Sequence, residues 1–344
     1  MMRYEIRAAV LHDAEQLLAL AQHLNTVNLP SSRDAIKKLL EVSERSFSGA
    51  LAELGHRRYM FVLSDLEQGV SVGTSSLIAQ LGRRDAPYIY FDVLNEERYS
   101  RTLDRHFRHT LLRLGLSYDG PTELGGLVVD PKYRRAPERL GLLISYVRFL
   151  FLAAHAEWFR EQLLAELLPP LEPDGTSHLW EALGRCFTGL SYREADLLSS
   201  ENKDFIVDLF PSGVIYSTLL SAEAQSVIGK VGAPTKGVEK LLRRVGFRYA
   251  HRIDPFDGGP HFVATRSEVA PIQMVRKVSY SEEPVPEGTA VRCLVARELT
   301  EPPYFRAIAC SVKFAPDGRA VVEREGSEHL NLAAGENVWC LPLP

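Results

Sequence analysis

The stretch that most constrains this chain runs from residue 123 to residue 168. An apolar segment, residues 123–129 (ELGGLVV), ends at Asp130-Pro131, and a short polar turn, 132–139, feeds a helical pattern from about 139 to 160. A second apolar run, residues 162–168 (QLLAELL), is closed by Pro169-Pro170. Strand, turn, long helix, strand is a crossover unit, and such a unit sets its two strands side by side in parallel.

The turn inside that unit carries chemistry. The first backbone N–H groups of a helix lack internal partners and point at whatever lies there, which makes the helix entrance an anion site. Arg134, Arg135 and Arg139 add positive charge at this entrance, and Gly141 opens the helix. The arrangement resembles the coenzyme A loop of the GNAT acyltransferases, whose usual pattern is Arg/Gln-x-x-Gly-x-Gly/Ala after a strand ending in Val-x-Pro. Here Ala136-Pro137-Glu138 stands in the approach, and Pro137 removes one amide donor. The competing reading is an ordinary capped helix with solvated arginines.

Composition limits the partners. The chain has 344 residues, with 40 Lys+Arg against 44 Asp+Glu, a formal net charge of -4. That balance excludes a broadly basic nucleic-acid binder and leaves room for one local basic cleft. With 45% hydrophobic residues the chain can bury a core, and its length suits two domains or one with an appendage. Cys186, Cys293, Cys310 and Cys340 form no C-x-x-C pair or zinc-spaced cluster, which predicts buried, unpaired thiols in a reducing compartment. Residues 1–10 carry Arg3, Glu5 and Arg7, unlike a signal peptide, and the apolar run 140–154 is short for a bilayer and holds Arg148. The expected location is the cytoplasm, with no membrane and no nucleic acid as partner.

Along the remainder, residues 4–10 read as an opening strand. Asp13 reads as the cap of a helix with Leu17, Leu20, Ala21 and Leu24 on one face, and 34–47 as a second helix. Residues 58–64, 69–81 and 88–93 form a strand meander; 178–232 is helical and loop material; a helix follows at 238–245. From 272 onward, short apolar runs alternate with Pro and Gly turns, predicting a small all-β domain, barrel or sandwich, over 272–344.

A second resemblance is spread over the chain. Gly246-Phe247-Arg248-Tyr249, followed by Ile253-Asp254-Pro255-Phe256-Asp257-Gly258-Gly259-Pro260, resembles the GFRY…IDxFDGGP signature of the arginine N-succinyltransferases. Asn28-Leu29-Pro30, Tyr59-x-Phe61-Val62-Leu63 and Leu127-x-x-Asp130-Pro131 match earlier blocks of that family. Asp174-Gly175-x-Ser177 with Trp180, Leu183-Gly184 and Phe187 follows in order, then Arg193-x-Ala195-Asp196, Ile215-Tyr216 and Leu220-Ser221-x-Glu223-Ala224-Gln225-x-Val227-Ile228-Gly229-x-Val231. The likeness covers about residues 3 to 265.

This resemblance implies an α+β fold, with a GNAT-like acyl-CoA N-acyltransferase core of mixed sheet flanked by helices over 1–271 and the small β domain over 272–344. It also implies transfer of a succinyl group from succinyl-CoA to the α-amine of arginine, sometimes ornithine, at the start of a bacterial route of arginine breakdown. Acyl-CoA enters as co-substrate, with no metal and no other cofactor. Leu127 stands where the family contacts succinyl-CoA, and Val129, Arg134, Arg135, Arg139 and Gly141 complete the coenzyme set. Gly125 and Gly126 permit close ligand approach or mark a bulge.

The same resemblance shows a departure. The family's proton-handling histidine follows the IGxV block, and here that position is Gly232. The family's His-containing segment is also not recognisable over 94–103. Glu166, near the end of the second crossover strand, and His261, after the Gly-Gly-Pro turn, are the replacement catalytic candidates. Asp254 and Asp257 are the candidates for binding a guanidinium, with a tight-turn role as the competing reading. His251 and Tyr216 are weaker candidates, the second as acid for the leaving thiolate. Open alternatives are a different acyl-CoA or amine, and a non-catalytic subunit binding coenzyme A or a related catalytic subunit in a homo- or hetero-oligomer.

Overall fold

A computed structural model describes residues 2–22, 29–84, 86–199, 202–283 and 289–344. Leu24 and Asn28, singled out in the sequence, lie outside the described residues. Strands run in chain order as β1 Tyr4–Ala8, β2 Arg58–Asp65, β3 Val70–Ile78, β4 Tyr88–Ser100, β5 Arg105–Ser117, β6 Thr122–Val129, β7 Gln162–Glu166 and β8 Val214–Tyr216. They continue as β9 Arg248–Ile253, β10 Pro260–Thr265, β11 Arg276–Tyr280, β12 Val291–Glu298, β13 Phe305–Phe314, β14 Arg319–Val322 and β15 Asn337–Pro342. The α-helices are α1 Ala14–Ala21, α2 Arg33–Phe47, α3 Leu140–Ala154, α4 Arg185–Thr188, α5 Tyr192–Ser199, α6 Asp204–Leu209, α7 Ala222–Val227, α8 Lys236–Val245, α9 Ala270–Met274 and α10 Arg324–Leu330.

The chain forms two compact units, one of Met1–Gln80, Leu124–Glu161 and Arg266–Pro344, the other of Leu81–Glu123 and Gln162–Thr265. Residues 272–344 therefore cluster with the N-terminal part of the chain, a different partition from a cut at 271/272.

In the first unit the strand order is β12, β15, β11, β14, β13, β1, β2, β3, then β6. β1 is the joint: it pairs antiparallel with β2 on one side and, through Ile6↔Ala307 and Arg7↔Arg306, with β13 on the other. The C-terminal strands thus extend the sheet that β1 begins. The segment also contains the end of α9 and the helix α10, whose Gly326 lies against the Cys310 thiol, where a Cβ would be 3.0 Å from Sγ. Ser32 caps α2 as its β-region backbone allows. Asp13 does not cap α1 through its side chain: its carboxylate takes two hydrogen bonds from Arg7, at 2.7 and 2.6 Å, because an oppositely charged fork is the stronger partner.

In the second unit the order is β7, β10, β9, β4, β5, β8, with the start of β6 beside β7. Thr122↔Leu163 and Glu123↔Leu164 pair in parallel, as the crossover reading requires. Trp180, Phe91, Phe210, Phe256 and Ile253 form the core between the sheet and the helices α4 to α7. The meander differs from its expected length. β4 runs on to Ser100 and pairs with β5 down to Ser100↔Arg105, a hairpin of two 13-residue strands.

All four cysteines are free; Cys293, Cys310 and Cys340 are buried, but Cys186 is exposed on α4. No helix among the described residues is long and apolar enough to cross a membrane.

Candidate active site

The Asp254–Gly259 turn is fixed from outside by the block around Trp180. Ser177 Oγ donates to the carbonyl of Phe256 at 2.9 Å and accepts from the Trp180 amide at 3.1 Å. The Trp180 ring stacks on Phe256 with centroids 5.0 Å apart, and its Nε1 donates to Leu190 O at 2.9 Å. Inside the turn, Asp254 accepts from Phe256 N at 2.6 Å and Asp257 from Gly259 N at 2.7 Å, the local bonds that make aspartate a turn former. Gly259 lets the chain pass the end of β7, since a Cβ there would lie 2.4 Å from Leu167 O. The turn reading of these two aspartates is what their backbone bonds show. The backbone bonds fix the carboxyls, and the fixed carboxyls stand beside β7.

β10 pairs antiparallel with β7 and sets His261 opposite Glu166, so both side chains leave the sheet on one face. His261 Nε2 lies 3.4 Å from Glu166 Oε1; the imidazole is wholly buried, while the glutamate side chain is about one-third exposed. On its other side Nδ1 meets Tyr88 Oη at 2.7 Å, and Nε2 has no hydrogen-bond partner among the described residues. Burial, with the charges of Arg252 and Lys203, pushes His261 down to about 3, so the ring is neutral at physiological pH. Burial and the charge of Glu166 push the Tyr88 phenol up, so it keeps its proton. With that phenol donating to Nδ1, the ring carries its hydrogen on Nε2, toward Glu166.

Carboxyl groups crowd this place. One oxygen of Glu166, one of Asp254 and a nitrogen of His261 lie within 4.8 Å of one another. Burial, then the charges of Glu123 and Asp254, raise Glu166 well above the usual carboxylate range. Burial and Asp254 likewise raise Asp257, burial raises Asp254, and burial with the charge of Asp254 pushes Asp196 up to about 6. Lys203 opposes these shifts at Glu166, Asp254 and Asp196. The spacing of the three donors would suit a divalent ion or the nitrogens of an organic cation, and the positive field of Lys203 on two of them opposes either.

The coenzyme set lies in the first unit. β6 bends at Gly126, whose φ is +58°, and Leu127 just after it is half-buried. Asp130 closes the strand by donating from its amide to Val72 O and receiving Lys132 N on its carboxylate at 2.8 Å. Val129 packs its side chain near Gly73 and Gly141, and its carbonyl takes Arg134 Nε at 3.1 Å. Arg139 holds a left-handed backbone at φ 59° and its carbonyl receives the amides of Leu142 and Leu143, so Leu140 and Gly141 occupy the open first turn of α3. Arg134, Arg135 and Arg139 are exposed around that turn, with Arg139 Nη1 donating to Pro344 O at 2.9 Å.

Other candidates are engaged elsewhere. Tyr216 donates to Glu96 at 2.6 Å and packs on His109, bracing the long hairpin. His251 is exposed, with its ring on Tyr249. Gly232 donates to Leu168 O at 2.8 Å, and a Cβ there would lie 2.5 Å from Pro169 O, so this backbone has no room for a histidine. Sequence reasoning missed Tyr88, Glu123, Asp196 and Lys203 as parts of the site. Of these, Asp196 stood in a quoted family block, and Tyr88 stood in a recognised strand.

Known proteins identify the family to which the chain belongs. A family described as "Arginine N-succinyltransferase beta subunit" matches residues 4–271. Arginine N-succinyltransferases of Salmonella paratyphi B and Salmonella typhimurium are 33% identical over 318 residues, 92% of this chain and 90% of theirs. The solved arginine/ornithine succinyltransferase subunit AI from Pseudomonas aeruginosa superposes with a TM-score of 0.81 at 27% identity, covering 99% of each chain. With the family's blocks in order, its fold over the whole length and its turn set against β7, the chain belongs to the arginine N-succinyltransferase family of acyltransferases.

Proposed function

We propose that this chain transfers the succinyl group of succinyl-CoA to the α-amine of arginine, with Glu166 as the base. The observation that carries this reading is the pair of carboxyls Glu166 and Asp254 beside the buried, neutral His261, with the charge of Asp257 also acting on Glu166. An α-ammonium group must lose a proton before it attacks a thioester, and a carboxylate whose proton affinity is raised by burial and like charges is a stronger base for that transfer. His261 Nε2 faces the Glu166 carboxylate at 3.4 Å, and Tyr88 holds His261 through Nδ1. The new N–C bond forms as the C–S bond breaks, and the proton taken from nitrogen balances the one the thiolate needs.

Asp254 and Asp257 take the guanidinium in this reading, and Asp196 and Lys203 set the charge balance around it. Leu127 supplies its backbone to the thioester, next to the bend at Gly126. Val129, Gly141 and the three arginines receive the pantetheine and phosphates at the α3 entrance. Residues 1–271 carry the reaction, and 272–344 are an appendage that extends the sheet of the first unit. Three buried free thiols support a reducing, cytoplasmic setting. The relatives' names, a "beta subunit" and a "subunit AI", support work within an oligomer, homomeric or with a related chain.

The test uses the purified chain alone. Succinyl-CoA is offered with arginine, ornithine, lysine and neutral amino acids while free thiol and succinylated product are followed. Turnover with arginine, and none with neutral amino acids, is expected. Tight succinyl-CoA binding without turnover on any amine would overturn the enzyme reading in favour of a non-catalytic subunit.

A further inference from the structure

We infer that Glu166, Asp254 and His261 form a site for a zinc ion, and that the ion, once bound, excludes the amine acceptor. One oxygen of each carboxylate and one imidazole nitrogen lie within 4.8 Å of one another. They come from β7, from the turn after β9 and from β10, so the pairing of these strands sets their spacing. His261 Nε2 and Glu166 Oε1 are 3.4 Å apart. Ligands held about 2.1 Å from a tetrahedral ion stand about 3.4 Å from one another, so this pair already has the bite of a zinc site.

His261 itself marks a ligand site rather than a patch of acids. Its side chain is wholly buried, yet Nε2 has no hydrogen-bond partner among the described residues. A buried polar nitrogen left bare costs free energy that a ligand recovers. A metal ion takes the lone pair of a neutral imidazole, which moves the ring hydrogen from Nε2 to Nδ1. There the Tyr88 hydroxyl, 2.7 Å away, turns from donor to acceptor and holds the ring as outer contacts hold ligating histidines. The amide of Phe256 fixes Asp254 from behind, donating to Oδ1 at 2.6 Å. The Glu166 side chain is about one-third exposed, so water reaches the fourth position of the ion.

Lys203 opposes any cation here, acting on Glu166 and Asp254 with one positive charge. Against it, the charges of Glu123, Asp254 and Asp257 all bear on Glu166. Arg252, the other cation acting on His261, is paired with Asp92 at 3.1 Å. Negative charge therefore exceeds positive, and a compact dication draws it to one point. A nitrogen among the donors selects zinc over magnesium, which prefers oxygen and keeps its water. A bound ion occupies both the base and one guanidinium ligand, so it acts as an inhibitor and not as a cofactor. This exclusion rests on the acceptor site proposed above; the binding of zinc does not.

The experiment titrates zinc chloride alone into the chelator-treated full chain and reads heat and bound metal. One equivalent is expected, and magnesium chloride is expected to give no heat. Glu166→Gln and His261→Gln are each expected to abolish that equivalent, and Tyr88→Phe to weaken it about 10- to 100-fold, the usual worth of an outer contact. Cobalt(II) in place of zinc reads the ligands without any variant. Four-coordinate visible bands with no thiolate band are expected, which separates the site from the exposed Cys186. In the turnover assay zinc is expected to raise the KM for arginine at unchanged kcat, with full reversal by chelator. An isotherm left unchanged by Glu166→Gln, or a thiolate band, would overturn the site, and inhibition that arginine cannot relieve would overturn the exclusion. A chain that binds one zinc and acylates no amine would sink the acyl-transfer reading and leave the site standing.

Discussion

His261 and Glu166 face each other across one rung of the β7–β10 pair, with Nε2 and Oε1 3.4 Å apart and the imidazole held neutral by burial. A ring pushed down to about 3 is a poor proton acceptor at neutral pH, whereas burial and neighbouring charges raise the proton affinity of the Glu166 carboxylate, which makes it the stronger base of the two. Glu166→Gln is therefore expected to lower kcat by about 10²- to 10⁴-fold, the usual worth of a positioned base. Succinyl-CoA binding, followed by calorimetry, should change little. If His261→Asn lost as much and Glu166→Gln lost nothing, the roles would be reversed.

The pH profile follows from the neighbours of Glu166. Its acid form is favoured by burial and by the charges of Glu123 and Asp254, so activity should rise as pH climbs through its elevated pKa. Glu123→Gln removes one like charge, which makes ionisation easier and moves the rising limb of kcat/KM to lower pH. Rate measurements from pH 5 to 9 decide this, and an unmoved limb would remove Glu123 from the field acting on the base.

Gly232 marks a position where substitution is prevented by backbone. Its Cβ would meet Pro169 O at 2.5 Å and Leu168 O at 3.0 Å, and neither carbonyl can swing aside as a side chain would. Gly232→His is expected to lower stability by about 1–3 kcal/mol, the usual cost of overpacking, and to give no gain in rate. Thermal unfolding and turnover of the variant check both halves. A gain in rate with intact stability would show that the histidine of related chains can still work here.

The crossover at 123–168 was legible because apolar runs, Pro punctuation and helical spacing all agree there. The Asp254–Gly259 turn was legible because aspartate and glycine serve one local geometry. The long hairpin was not, because residues 94–110 show water two faces and carry no alternating pattern. Tyr88 reaches His261 across 173 positions, and Lys203 acts on carboxyls from three separate elements. Contacts of that kind arise only when the sheet closes. Asp13 was misread for a related reason, since its partner Arg7 lies outside the helix that its type and position suggest.

Arg148, which interrupts the most apolar stretch of the sequence, is 2% exposed on α3 and has no carboxylate against it among the described residues. Burial pushes it down to about 9, so it is still charged at neutral pH. Its donors reach Ser145 Oγ at 2.9 Å, Ser145 O at 3.3 Å and Gly125 O at 3.4 Å. The last of these ties α3 to the strand one residue before the left-handed Gly126 and two before Leu127. A buried charge held by neutral dipoles costs the fold more than an apolar side chain of similar length, so its presence is better explained by what it positions. Arg148→Met is expected to leave the melting temperature equal or higher while kcat falls about 10- to 100-fold, the scale of a small misplacement at a reacting centre. Unfolding and steady-state rates on the same sample separate the two effects. A variant that lost stability and activity together would make Arg148 a structural residue alone.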